Sequence, residues 1–334
     1  MGIKQLNNFL LENCSKSAIY KIQLRNLANR VIVIDTSIYL YKFAEKSAVA
    51  ENMYLLISVF RQHNITPVFV FDGKPPAEKK ALLIKRKIEK DAAEEKYNEL
   101  KTAVEEGRVS NAALSEMESL KKQFVRVTDA DIVKSKEVMR AYGVTYIESS
   151  GESDHLCAFL VKHGFAWACL SDDMDMFLYG CPRVIRHLSL LNHEGIYYDT
   201  AQILTDLDMT QEVFNDIAIL SGTDYNVHEH KSLSDTLRYY MEYREWLHFN
   251  GDSAVKETKL PHVGSFYEWL MKTTNYIKDA TPLIHIRKMF DLNRYLETNR
   301  EEFKRIVDVM PFTVAQYTTD DLQAVLNDDG FIFV

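Results

Sequence analysis

Asp35, Asp72, Glu152, Asp154, Asp173, Asp175 and Asp224 are the residues of this sequence whose placement points to chemistry. Asp35 and Asp72 directly follow Val31-Ile32-Val33-Ile34 and Val68-Phe69-Val70-Phe71, and Asp173 closes the segment that starts with Ala166-Trp167-Ala168-Cys169-Leu170. Each of these apolar runs reads as a buried parallel strand. In an open parallel sheet, ligands gather outside the carboxyl ends of the strands, so three acids from distant parts of the chain are expected at one edge. Glu152 and Asp154 begin a helix that itself follows a strand, Asp175 lies two beyond Asp173, and Asp224 ends Ser221-Gly222-Thr223-Asp224. A single Asp after a strand is most often a turn or cap residue, but seven acids falling together suggest one shared ligand. Crowded carboxylates do not all stay ionised without cations, and hard oxygen donors suit Mg²⁺ or Mn²⁺. Two such ions about 4 Å apart can clamp both the attacking and the leaving oxygen of a phosphodiester.

A basic segment follows Asp72. Gly73 and the pair Pro75-Pro76 precede a helix on which Lys79 and Arg86, seven apart, are expected to share a face. Because they start close to Asp72, phosphate contact is the favoured role for both. Lys85, Lys87 and Lys90 add charge, although Glu89, Asp91, Glu94 and Glu95 leave a solvated charged helix as an equal reading of the segment. Tyr41, six past Asp35, is either a stacking platform for an unpaired base or a core residue.

The elements that must position these groups alternate. Strands over 31–34, 68–71, 144–147, 166–170 and 184–188 are separated by helical patterns, including one capped by Thr128 with Asp131 three residues on. That alternation gives an α/β fold with a mostly parallel sheet flanked by helices. The stretch from 74 to about 123 has no strand signal and is rich in Ala, Glu, Lys and Leu, so it reads as helices standing clear of the sheet. Beyond Tyr225 the pattern is aromatic-rich and helical, giving a core over 1–225 and a helical region over 226–334. The chain of 334 residues is 46% hydrophobic and 26% charged, which excludes a disordered or fibrous protein. Its formal net charge of -8 does not exclude a nucleic-acid partner, because an acidic metal cluster can coexist with a local basic face. No Gly-rich phosphate loop is present, which argues against a nucleotide-binding enzyme. Cys14, Cys157, Cys169 and Cys181 form no C-x-x-C pair and read as reduced thiols. The apolar runs are too short to span a bilayer, so a soluble intracellular protein is expected.

These residues carry a resemblance. Met1-Gly2-Ile3-Lys4, Val33-Ile34-Asp35-Thr36-Ser37, Val70-Phe71-Asp72-Gly73-Lys74-Pro75-Pro76, Gly151-Glu152-Ser153-Asp154, Asp172-Asp173-Met174-Asp175 and Ser221-Gly222-Thr223-Asp224-Tyr225 resemble, in order and spacing, the structure-specific 5′ nucleases of the flap endonuclease/XPG type. The resemblance covers roughly 1–225. It implies a PIN-like core, a helical arch over about 74–123, and hydrolysis of phosphodiesters of flap or branched DNA in replication, repair or recombination. It implies two Mg²⁺ ions, replaceable by Mn²⁺, held by Asp35, Asp72, Glu152, Asp154, Asp173, Asp175 and Asp224. Lys79 and Arg86 then polarise the scissile phosphate, Lys85 adds to the substrate-facing charge, Tyr41 stacks on a terminal base, and Gly2 lies near the site.

The chain departs from that family in four places. Asp154 stands where Glu is usual, one methylene shorter. The family's Gly-x-Gly hairpin, which grips duplex phosphates with K⁺, is missing: the next glycine after Gly222 is Gly251, and His228, Glu229, His230 and Lys231 stand between. The tail lacks a sliding-clamp motif, since Gln323 and Leu326 are followed by Asp329 and Gly330 at the aromatic positions and Gln316 fails as well. The apolar end at 331–334 is expected to dock on the body. No contiguous basic tract suggests nuclear import, so a cytoplasmic location is favoured over a nuclear one. His155 is expected to pack, and His228 and His230 to lie on the surface. Two alternatives stay open beside the leading one: an RNA-preferring or plain 5′ exonuclease, and a scaffold that binds nucleic acid without cutting it. A haloacid-dehalogenase-type phosphatase is set aside, because Ser37 stands where that chemistry wants a second Asp.

Overall fold

A computed structural model of the chain describes residues 2–105, 111–226, 231–257, 265–308, 312 and 319–327. His228, Glu229, His230, Gln316, Asp329, Gly330 and the apolar end at 331–334 lie outside the described residues. The chain forms two compact units, Met1–Ile22 with Asp154–Leu188 and Glu194–Lys304, and Gln23–Ser153 with Ser189–His193 and Arg305–Val334. Among the described residues seven strands make a mixed, mostly parallel sheet.

The second unit holds the strand run β2 (Val31–Asp35), β3 (Thr66–Phe71) and β4 (Thr145–Glu148), parallel in register with Val33 opposite Val68 and Val68 opposite Thr145. Ile32, Val33, Ile34, Val68, Phe69 and Val70 are all 0% exposed. Burial on both faces is why these strands read as continuous apolar runs, and each such side chain contributes about 1.5–3 kcal/mol. Helices α2 (Thr36–Glu45), α3 (Val49–Gln62) and α6 (Asp129–Ala141) cover them. Met53, Leu56, Ile57 and Phe60 line the buried stripe of α3 at helical spacing. The expected cap of α6 is present, as a reciprocal box between Thr128 and Asp131. Helices α4 (Lys80–Glu105) and α5 (Asn111–Gln123) pack on each other, tied by the ring contact Tyr97–Phe124 at 5.3 Å. Arg126 reaches back to Asp91 at 2.9 Å and Glu94 at 2.7 Å on α4. Helix α15 (Thr319–Asn327) packs on α6, with Leu322 3% and Leu326 0% exposed.

The first unit holds the strand run β1 (Ile19–Gln23), β7 (Glu194–Asp199), β6 (Arg183–Ser189) and β5 (Ala168–Leu170). Its helices are α1 (Leu6–Asn13), α7 (Ser153–Lys162) from Asp154 on, α8 (Thr200–Asp206), α9 (Gln211–Ser221), α10 (Leu233–Glu257), α11 (Ser265–Thr273), α12 (Thr281–Met289), α13 (Leu292–Thr298) and α14 (Arg300–Asp308) as far as Lys304. After Tyr225 the described elements are all helical, as the sequence suggested. β1 and β7 were not anticipated. β1 exposes the adjacent pair Tyr20 and Lys21, which breaks the alternation that marks a half-buried strand. β7 contains Gly195, where a Cβ would fall 2.8 Å from the Ile185 Cγ2 methyl. Among the described residues no helix is long and apolar enough to cross a membrane.

Candidate functional site

In the second unit two of the acids, Asp35 and Asp72, share one serine, Ser153, and a third, Glu152, precedes it in the chain. Asp35 ends β2, is 2% exposed, and accepts a 3.0 Å hydrogen bond from the Ser153 hydroxyl at Oδ1. Asp72 lies one residue past β3; its Oδ1 accepts the Ser153 backbone N–H at 2.7 Å and its Oδ2 accepts the Ser37 hydroxyl. Glu152 immediately precedes α7 and accepts a charge-assisted hydrogen bond from the Lys79 ammonium. The loop before α7 reaches Asp72 because Gly73 lets two backbones touch. The Gly73 N–H donates to the Gly151 carbonyl at 2.6 Å, and a Cβ on Gly73 would fall 2.0 Å from the Ser149 carbonyl oxygen.

Lys79 lies just ahead of the helix that carries Arg86. It closes a short 3-10 turn, Ala77–Lys79, ahead of α4, and it is 8% exposed whereas Arg86 is half-buried on α4. Pro76 is itself extended and disfavours the α region at residue 75, so helical structure starts only after it, and Lys79 falls in its first turn. Its pairing with Glu152 is what makes burial of the Lys79 charge tolerable. Lys85 is exposed, with Glu89 at 3.9 Å. Tyr41 is 44% exposed, and the Lys90 ammonium lies 4.7 Å from its ring centroid. Lys90 also donates to the Val125 carbonyl at 2.9 Å. Burial, together with the nearby Arg126 and Arg86 charges, holds its pKa below the ordinary lysine value. The exposed Tyr41 ring thus has a cation beside it.

In the first unit Asp173 and Asp175 occupy the loop after β5, 8% and 2% exposed. Asp173 also serves as a cap: its Oδ1 accepts the Asp175 N–H at 3.0 Å at the head of the turn Met174–Phe177. Gly2, at φ +77°, lies against them, so that a Cβ there would be 2.7 Å from Asp173 Oδ1 and 2.9 Å from Asp175 Oδ1. The loop is fixed by Arg186, 4% exposed, which donates to the Asp172 carbonyl at 2.9 Å and to Asn7 Oδ1 at 2.5 Å. Tyr198 donates to the same Asn7 oxygen at 2.8 Å. Asp154, 9% exposed, stands in the first turn of α7, and Asp224 is half-buried in the turn after α9. His155 packs as expected, stacked on Tyr295 at 4.7 Å with its Nε2 3.0 Å from the Met289 carbonyl.

Among the described residues no group of three or more His, Cys, Asp or Glu side chains is gathered to hold a metal ion. The donor set nevertheless fits a hard divalent cation in kind: it is all carboxylate, much of it buried, with Lys79 as a cation beside Glu152. Sequence reasoning missed Ser153, Arg186, Asn7 and Tyr198. Only Arg186 left a signal, as a charged residue inside the apolar run of β6.

Residues 1–93 match the XPG N-terminal domain and residues 143–224 the XPG I-region. The chain is 30% identical over 275 residues to flap endonuclease 1 of Lodderomyces elongisporus, covering 72% of this chain and 69% of that protein. It is 33% identical over 245 residues to flap endonuclease 1 of Candida albicans, covering 67% and 63%. It is also 33% identical over 244 residues to flap endonuclease 1-A of Sorghum bicolor, covering 67% and 62%. The chain thus spans less than two thirds of the length of the latter two relatives. Its fold is that of the catalytic core of Rad2, with a TM-score of 0.62 at 18% identity over 99% of this chain and 96% of that one. The flap endonuclease-1 of Methanococcus jannaschii shares it at a TM-score of 0.53 and 20% identity, over 87% and 84%.

Proposed function

Because the chain belongs to the flap endonuclease/XPG family of structure-specific 5′ nucleases, we propose that it hydrolyses phosphodiesters of flap or branched DNA near single-strand/duplex junctions, using divalent metal ions. One observation carries this reading: all seven carboxylates fall inside the two matched regions, Asp35 and Asp72 in 1–93, and Glu152, Asp154, Asp173, Asp175 and Asp224 in 143–224. These seven would hold two Mg²⁺, or Mn²⁺ in their place. Bound there, the ions would supply Lewis acidity to the oxygens of the scissile phosphate.

The chain's own groups do the rest. The Lys79 ammonium and the Arg86 guanidinium stabilise negative charge growing on the phosphate oxygens. Tyr41 stacks on a base freed from the duplex, Lys85 draws the strand toward the arch, and Gly2 leaves room for close backbone approach. The core over 1–225 carries the chemistry. The arch over about 74–123 meets the 5′ strand, and 226–334 contributes a helical region with a degenerate hairpin segment. Proteins of replication or recombination are its proposed partners.

The test is one gel. Purified protein is offered a 5′-flap DNA, a matched single strand and a matched RNA flap, with Mg²⁺ or Mn²⁺, beside Asp173→Ala. Cleavage near the flap junction is expected, lost in the variant while DNA binding persists. Preference for the RNA flap, or no cleavage at all by folded protein, would overturn the reading.

A further inference from the structure

We propose that Ser153 is a positioning residue that sets the orientation of Asp35 and Asp72 toward a divalent cation. The inference rests on the nuclease reading above, and it concerns a residue with no carboxylate of its own. Ser153 is 2% exposed and makes two different bonds from the head of α7: its hydroxyl to Asp35 Oδ1 at 3.0 Å and its backbone N–H to Asp72 Oδ1 at 2.7 Å. Those carboxylates come from adjacent strands β2 and β3, and Ser153 is separated from them by 118 and 81 positions. An ionised carboxylate is acceptor-only, so the hydroxyl must donate to Asp35 and thereby fixes which way that carboxylate faces. The backbone N–H does the same for Asp72, with Ser37 bonding the opposite oxygen. Each carboxylate oxygen accepts more than one bond, so a cation can bind beside these donors. Such orienting bonds change metal affinity about 10–100-fold when removed.

The two bonds are separable. Ser153→Ala deletes the hydroxyl bond to Asp35 and leaves the backbone bond to Asp72, and Ser153→Thr restores a hydroxyl at the same place. The experiment titrates Mn²⁺ into substrate-free full-length protein by calorimetry, with melting curves alongside. The expected result is an affinity about tenfold weaker in Ser153→Ala and near wild type in Ser153→Thr, with the metal-free melting temperature lowered in Ser153→Ala by the lost buried bond. The metal concentration giving half-maximal flap cleavage should rise in the alanine variant, while the rate at saturating metal recovers. Unchanged Mn²⁺ affinity in Ser153→Ala would overturn the proposal, as would a lower melting temperature as its only effect. Wild-type protein that binds Mn²⁺ but cuts nothing would defeat the nuclease reading and leave the Ser153 comparison intact.

Discussion

Gly73 shows how little freedom the loops around the acids have. A methyl group there would meet the Ser149 carbonyl at 2.0 Å, and backbone cannot step aside as a side-chain end can. Gly73→Ala should therefore lower unfolding free energy by about 1–3 kcal/mol, measured by urea denaturation; a change within experimental error would mean that the loop relaxes freely. Asp35 and Asp72 were legible in the sequence because each stands at the end of an apolar run, a purely local signal. Arg186 and Asn7 were not legible as a pair, because their bond spans 179 positions and no local pattern records it. Lys79 was half legible: its charge and nearness to Asp72 were plain, but its bond to Glu152 spans 73 positions and no local pattern records it.

Helix ends and helix contacts decide the next set of effects. The Thr128 cap was readable from a Thr followed by Asp three residues on, and both reciprocal bonds are present. Thr128→Ala should cost about 1 kcal/mol in thermal or chemical melts, and an equal cost for Thr128→Ser would show that the hydroxyl is not what caps α6. A buried pair joins α9 to α12: Asp216 Oδ1 lies 2.8 Å from Arg287, and burial raises the Asp216 pKa to about 6 even though Arg287 pulls the other way. Because its folded pKa lies above the ordinary carboxylate value, the folded state gains from protonating Asp216, and that gain fades as pH rises from about 4 to about 6. Asp216→Asn cannot titrate. Removing the partner of Arg287 costs the variant a fixed amount, but its stability relative to wild type should climb across that window in urea melts at successive pH values. A flat difference would show that Asp216 titrates normally. The Asp216–Arg287 pair was not foreseen, since the apolar face of α9 signals burial without naming what is buried with it.

Across the whole molecule, a formal net charge of -8 sets the terms on which DNA can approach. On the proposed function, association would depend on a local cationic face, for which the exposed lysines of α4, Lys85 and Lys87, are the candidates. Reversing Lys85 and Lys87 to Glu should weaken DNA binding most at low salt and flatten its dependence on salt concentration, with no change in melting temperature. An unaltered salt slope would move the contact elsewhere. The alternation of strands and helices was readable over most of the core, because continuous buried strands are strongly apolar. The discontinuity of the second unit was not, since composition says nothing about which distant segment closes a fold. That discontinuity has a consequence during synthesis. Helix α6 leaves the ribosome long before α15, which packs on it. At roughly 5–20 residues per second, α6 waits about 10–40 s for its partner. For that interval the side of α6 that α15 covers stays open, and a stop codon ahead of residue 319 would leave it so permanently.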